Sequence, residues 1–173
     1  MIKDIQEKTA ETPSPVEVLG VPVVPFASYE HALVCIARVI EQRRPSFWVA
    51  VNPQKIHRAW REPRLMSVLR EADACICDGI GVSLAVRLLN GRRIARCTGC
   101  DLFFRLISRA AEKGWRVFLL GASPESNAKA CDNLLQSHPG LRIVGRFHGF
   151  FDDSEPVVEA INTSGADLLF VAM

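Results

Sequence analysis

The stretch Ala74-Cys-Ile-Cys-Asp78-Gly79-Ile-Gly81-Val82 decides the fold class. Its first four residues are apolar and have the length of a short strand, which ends at Asp78-Gly79. A helical pattern runs from Val82 to Leu89 and is closed by Asn90-Gly91. The stretch therefore predicts a strand that turns directly into a helix, as in an α/β sheet.

The same alternation continues on both sides of this stretch. Apolar runs predict a buried parallel strand at Phe47–Val51 and a central buried strand at Leu168–Ala172, beside short extended pieces around Val16–Val24. Further strands are predicted at 115–120 and 141–144. Further helices are predicted at 28–43, in a region opened by Asn52-Pro53, from Pro63 to about Ala72, and at 101–113, 123–135 and 153–163. Strands that alternate with helices predict an α/β fold with a mostly parallel sheet.

Length and composition bound the class of protein. The chain has 173 residues, which favours one domain, and we assign residues 16–173 to it and residues 1–15 to a flexible tail. The sequence stops just after a predicted central strand, so we expect the domain to be truncated at its C-terminus.

Charge and hydropathy limit the kinds of molecule and the cell compartment that we expect for this protein. A formal net charge of +2 gives no argument for nucleic acid. No apolar run is long enough to cross a bilayer, and the polar start does not resemble a signal peptide. We therefore expect a cytoplasmic protein whose six cysteines stay reduced.

Three predicted strands end in polar or glycine residues, namely Asn52, Asp78-Gly79 and Gly121. In an open parallel sheet such ends lie on one rim, where ligands bind. Asp78 can act there as a general base, with Gly79 and Gly81 letting a ligand approach the backbone, or it can cap the following helix. Both roles stay open on the residues alone.

Two further segments suit a phosphorylated ligand. Gly121-Ala-Ser123-Pro resembles a phosphate turn at a helix N-terminus, where Ser123 donates to a phosphate or caps the helix. The segment Arg92-Arg-Ile-Ala-Arg96 leads into Thr98, Gly99 and Asp101, and Arg96 is the best candidate to bind a diphosphate. The spacing G-x-G-x-x-G of dinucleotide enzymes is absent from the sequence.

The cysteines offer a different class of function. Cys97-Thr-Gly-Cys100 is a C-x-x-C, and Cys75 and Cys77 form a C-x-C before it. Two such pairs suit a zinc site or a redox pair. Cys75 and Cys77 also fit an apolar strand, which favours a core role.

Several motifs in order resemble the WecG/TagA/CpsF glycosyltransferases. They are Asn52-Pro, Ala72-Asp-Ala leading to Asp78-Gly-Ile-Gly-Val, Arg96-Cys-Thr-Gly-Cys-Asp-Leu, Val117-Phe-Leu-Leu-Gly-Ala-Ser-Pro, Pro139-Gly-Leu-Arg-Ile-Val-Gly, Gly149-Phe-Phe and Ala166-Asp-Leu-Leu-Phe-Val-Ala. The resemblance runs from about Val16 to the end of the chain.

The resemblance implies a Rossmann-like fold and an inverting, cofactor-free and metal-independent transfer from a UDP-sugar to an undecaprenyl-diphosphate-linked sugar. The donor would carry N-acetylmannosamine, its uronic acid or glucose, and the product would serve cell-surface polysaccharide synthesis. Asp78 would be the catalytic base, with substrate contacts at Asn52, Gly79, Gly81, Arg96, Gly99, Asp101, Gly121 and Ser123. The resemblance also implies peripheral attachment to the inner face of the cytoplasmic membrane and homo-oligomers.

Two departures from the family pattern lead to an alternative. The segment Gly-x-Pro-x-Gln-Glu and a basic C-terminal appendage do not follow the last predicted strand. We therefore expect weak or no turnover and poor membrane attachment, and the alternative is a truncated remnant that binds nucleotide-sugars without transferring them.

Overall fold

The computed structural model describes residues 11–172, so the predicted tail lies mostly outside the described residues. This part forms two compact units, one ending at Leu102 and one beginning at Phe103. The single-domain assignment of residues 16–173 stays a prediction. Between residues 11 and 172, seven strands and seven helices follow one another in the predicted order: β1 Val16–Val18, β2 Val21–Val23, α1 Tyr29–Glu41, β3 Trp48–Val51, α2 Pro53–Arg61, α3 Pro63–Glu71, β4 Ala74–Cys77, α4 Ile80–Asn90, α5 Gly99–Lys113, β5 Arg116–Gly121, α6 Pro124–Ser137, β6 Arg142–Phe147, α7 Glu155–Ser164 and β7 Leu168–Ala172.

The first unit is built on a four-stranded sheet in the order β1-β2-β4-β3. The β1 and β2 strands are antiparallel, whereas β2-β4 and β3-β4 are parallel. All four residues of β4 are buried, as the apolar run predicts for a central strand. The hydrophobic core of the first unit includes Val51, Cys75, Cys77, Val82 and Val86. Parallel strands flanked by helices confirm the predicted α/β class.

The position of β3 differs from the prediction of a buried strand. The strand is parallel to β4, but it lies at the edge of its sheet, and only Val51 is fully buried. Its apolar character has a local reason, because the Trp48 ring stacks on Phe26 with centroids 5.4 Å apart. An aromatic contact of this kind stabilises an edge strand without burying its whole length.

The second unit has a three-stranded parallel sheet in the order β6-β5-β7. Strand β5 is central, and its register with β7 runs from Val117↔Leu168 to Gly121↔Ala172. The prediction of a central, buried last strand is wrong for the part of the chain that the structure describes, because β7 lies there at the edge of its sheet and Leu169 and Val171 are exposed. The Phe170 ring of β7 packs edge-on against the Phe103 ring, with centroids 4.7 Å apart. This contact explains part of the apolar sequence of β7.

Helix ends follow local signals. The side chains of Ser28, Asn52 and Ser123 accept hydrogen bonds from the first turns of α1, α2 and α6. Gly91 and Gly165 end α4 and α7 in the left-handed region. Between residues 11 and 172, the helices are too short or too polar for any of them to cross a bilayer.

Candidate active site

The carboxyl ends of β3 and β4 meet at one edge of the first sheet. Val51 and Cys77, the last residues of the two strands, are register partners. The backbone N–H of Asp78 donates to the carbonyl of Val51 at 2.9 Å. Asn52 and Asp78 each follow one of these paired residues. The structure therefore brings these two predicted site residues together.

The Asp78 side chain is half-buried, and no described residue uses its carboxylate as a partner. It makes no hydrogen bond or ion pair with any residue between 11 and 172. The N-cap of α4 is Gly79, and no side chain caps that helix. The structure therefore does not support the capping alternative for Asp78. Its backbone is anchored while its carboxylate is left available to a ligand.

Gly79 and Gly81 are glycines for different physical reasons. Gly79 has φ +118 and ψ 153, a conformation that only glycine adopts readily, and it turns the chain from β4 into α4. A Cβ at Gly81 would lie 2.7 Å from Cγ of Pro53, so this glycine lets the first turn of α4 pack on α2. The Gly81 position is thus explained by packing even without a ligand.

Arg96 is held beside the end of β4 by its two neighbours. The N–H of Ala95 donates to the carbonyl of Phe26, and the N–H of Cys97 donates to that of Cys77, both at 2.9 Å. The Arg96 side chain is exposed and forms no ion pair within residues 11–172. A guanidinium held near a strand end suits the oxygens of a diphosphate.

A hydrogen-bond network links the start of α5 to α1. The Tyr29 hydroxyl donates to the carboxylate of Asp101 at 2.9 Å and accepts from the N–H of Thr98 at 3.0 Å. The N–H of Asp101 in turn donates to the Thr98 hydroxyl at 3.2 Å. Gly99 lies between Thr98 and Asp101 in the sequence, and a Cβ at this position would lie only 3.1 Å from Cβ of Ala50. Asp101 is therefore already bonded to the protein.

Sequence reasoning missed Tyr29. It is the single tyrosine of the chain, and its partners lie 69 and 72 residues away. No spacing rule connects residues so distant, so only its hydroxyl group and its place in the first turn of α1 could have drawn attention to it.

Asn52 is also engaged locally. Its side-chain oxygen accepts from the N–H of Lys55 at 2.8 Å, and the Lys55 ammonium donates to the carbonyl of Ala50 at 2.8 Å. The Asn52 amide can still donate. An open cavity of about 370 Å³ adjoins this residue and does not include Asp78. Its lining consists of Asn52, Gln54, Lys55, Arg58, Glu62 and Leu65. The lining belongs to α2 and the start of α3, so this cavity is not where a ligand would meet the Asp78 carboxylate.

The second unit contains the other two predicted contacts. Gly121 has φ +131, and a Cβ there would collide with the carbonyl oxygen of Ala172. Ser123 caps α6 by accepting from the N–H of Ser126 at 3.2 Å. Hydrogen bonds from its own backbone N–H and from Ser123 lower the pKa of Glu125. A phosphate at this helix end would therefore compete with a carboxylate of the protein.

Asn127 is a second residue that the sequence did not single out. It is buried, and its amide donates to the carbonyls of Gly121 at 2.9 Å and Phe147 at 3.0 Å, and more weakly to that of Leu119. These carbonyls belong to the ends of β5 and β6. The side chain thus fixes the loop that carries Gly121 and Ser123.

The cysteines behave as core residues, as their strand context predicts. Of the six, only Cys100 is exposed. Burial raises the pKa of Cys75 and of Cys77 to about 11, which disfavours the thiolate that zinc and redox chemistry need. Within residues 11–172, no three His, Cys, Asp or Glu side chains are grouped so that they could hold a metal ion.

Comparison with known proteins gives a family and two relatives. A family model described as "Glycosyl transferase WecG/TagA/CpsF family" matches residues 16–173. The chain is 34% identical over 134 residues to the N-acetylglucosaminyldiphosphoundecaprenol N-acetyl-beta-D-mannosaminyltransferase of Bacillus spizizenii. It is 30% identical over 134 residues to the protein of the same name from Bacillus subtilis. Each match covers 78% of this chain and 52% of the relative, so the chain spans about half the length of these curated relatives.

Proposed function

The chain belongs to the WecG/TagA/CpsF glycosyltransferase family, and on this basis we propose that it transfers a sugar from a UDP-sugar to an undecaprenyl-diphosphate-linked acceptor sugar. The names of the two relatives favour N-acetylmannosamine as the sugar and N-acetylglucosaminyl-diphosphoundecaprenol as the acceptor. The uronic acid of N-acetylmannosamine and glucose are the other donor sugars to test.

The observation that carries this proposal is the Asp78 carboxylate. It follows the buried central strand, it is half-exposed, and no described residue engages it. In the proposed step the acceptor hydroxyl oxygen attacks the anomeric carbon of the donor while the bond from that carbon to the UDP oxygen breaks. The hydroxyl proton passes to Asp78, and the configuration at the anomeric carbon inverts.

The leaving diphosphate needs its growing negative charge stabilised. We assign this to the Arg96 guanidinium and to the backbone N–H groups at the start of α4, a helix that no side chain caps and that follows Asp78 in the first unit. Gly79 lets a ligand approach the backbone at this turn. No metal is invoked, since the sequence holds no Asp-x-Asp pair.

The remaining predicted contacts have supporting roles in this proposal. Asn52 keeps an amide donor for the ligand, while Gly99 and Asp101 shape the start of α5 together with Tyr29. Gly121 and Ser123 remain proposed donor contacts in the second unit. We place the protein at the inner face of the cytoplasmic membrane, as the lipid-linked acceptor requires, and expect homo-oligomers.

The experiment is a UDP-release assay. The chain is incubated with each of the three UDP-sugars, with and without lipid-linked N-acetylglucosamine, and calorimetry measures UDP binding in parallel. Acceptor-dependent UDP release with one donor is the expected result. No release with any donor would refute the transferase, and UDP binding without release would favour the remnant.

A further inference from the structure

Helix α4 is apolar on the side that faces solvent as well as on the side that faces the core. Val82 and Val86 are buried at 1% and 0% exposure. Ile80, Leu84 and Leu88, which we name the α4 stripe, are exposed at 77%, 52% and 75%. Since successive members are four positions apart, the stripe lies on one face of the helix, opposite the two valines. A contiguous exposed apolar face of this kind marks an interaction surface.

Residues 79–100, the segment that contains the α4 stripe and the loop after it, carry only positive charges. Between Gly79 and Cys100 the chain carries four arginines and no Asp or Glu, although the whole chain has 21 basic and 19 acidic residues. All four are exposed, and none forms an ion pair within residues 11–172. These arginines are Arg87, Arg92, Arg93 and Arg96.

An apolar face that is followed along the chain by arginines and by no acidic residue up to Cys100 fits an anionic lipid surface. The aliphatic side chains can enter the boundary between headgroups and acyl chains, while guanidinium groups bind the lipid phosphates. A second copy of the chain fits less well. A symmetric contact through the same patch would bring the two sets of arginines together, and residues 79–100 supply no acidic side chain to pair with them.

We propose that the α4 stripe and the arginines that follow it form a docking surface for bilayers that contain anionic phospholipid. Ile80 lies two residues after Asp78, so docking through α4 brings the candidate base close to the headgroup level. This consequence for catalysis rests on the proposed function, whereas the binding itself does not.

Sedimentation with vesicles of phosphatidylcholine, with and without phosphatidylglycerol, tests the surface. The full chain is expected to bind only the anionic vesicles, and added salt should weaken binding. Leu84→Ser/Leu88→Ser should lower partitioning at least about ten-fold. Arg92→Gln/Arg93→Gln should lower it roughly five-fold for each arginine.

Matched controls use exposed residues elsewhere. Leu135→Ser changes an exposed leucine of α6, and Arg61→Gln/Arg64→Gln removes two exposed arginines around the α2–α3 junction. Both should leave partitioning unchanged, and circular dichroism should show every variant folded. All changed side chains are exposed, so folding is expected to survive.

Two results would overturn the inference. One is that the wild-type chain shows no preference for anionic vesicles, or that both variants, Leu84→Ser/Leu88→Ser and Arg92→Gln/Arg93→Gln, bind these vesicles as well as the wild-type chain does. The other is a dimer, seen by analytical ultracentrifugation, that is lost in Leu84→Ser/Leu88→Ser while vesicles are not bound. Transfer to a short-chain soluble acceptor separates this surface from the proposed function, because that reaction needs Asp78 but no bilayer.

Discussion

Replacing Gly81 with alanine tests whether this position is a glycine because helix α4 packs on Pro53 or because a ligand must approach the backbone. A Cβ at this position would lie 2.7 Å from Cγ of Pro53, about 1 Å inside the optimal separation of two carbon atoms. Overpacking of this kind costs about 1–3 kcal/mol. The better helix propensity of alanine returns up to about 1 kcal/mol. We expect Gly81→Ala to lower the free energy of unfolding by about 1–2 kcal/mol in the absence of any ligand.

A double-mutant cycle with Pro53→Ala isolates the contact. Once Cγ of the proline is gone, the nearest remaining atom is Cβ of residue 53, at an ordinary 3.8 Å. In that background Gly81→Ala should be neutral or slightly stabilising. The coupling energy between the two changes should therefore be about 1–3 kcal/mol.

Urea unfolding of the four proteins, followed by circular dichroism, measures these free energies. Additive effects, or a Gly81→Ala protein as stable as wild type, would refute the packing account. If such a stable variant had also lost UDP binding, the glycine would be there for the ligand instead.

Four other outcomes follow from the structure. Tyr29→Phe should cost about 1 kcal/mol in urea unfolding, because the N–H of Thr98 loses its acceptor. Asn127→Ala should cost about 1–3 kcal/mol in thermal unfolding, since it leaves buried carbonyls unpaired. Of the six thiols, Cys100 alone should react quickly with Ellman's reagent in the native chain. Because burial raises the pKa of Cys77 to about 11, its contribution to stability should be complete below about pH 9 and be lost as the pH rises towards 11, as urea midpoints across that range would record.

The order of elements was predictable because its signals are local. The apolar run at β4, the polar turn after it and the caps at Ser28 and Asn52 each act within a few residues. The position of a strand in its sheet is not local. The apolar sequences of β3 and β7 suggested buried strands, yet both lie at sheet edges. Their apolar residues serve aromatic contacts, Trp48 with Phe26 and Phe170 with Phe103.

The candidate site was predictable to the extent that it lies at strand ends. Asn52 and Asp78 followed from the rule that ligands bind at the carboxyl ends of parallel strands, and their strands are indeed neighbours. The contact between Gly81 and Pro53 joins two helices, and Tyr29 reaches Asp101 across 72 residues. No sequence pattern encodes such approaches, so the packing role of Gly81 and the part played by Tyr29 emerged only from the three-dimensional structure.

The rate of sugar transfer by Asp78→Asn, measured beside its UDP affinity, tests the proposed mechanism most directly. Asparagine keeps the size of the side chain but cannot take up the acceptor proton. We expect transfer to fall by about 10²–10⁴-fold with UDP affinity nearly unchanged. Asp73→Asn, at the opposite end of β4, is the control and should retain activity, since the amide oxygen can still accept from the N–H of Phe47. Transfer by Asp78→Asn at the wild-type rate would contradict the assignment of Asp78 as the base.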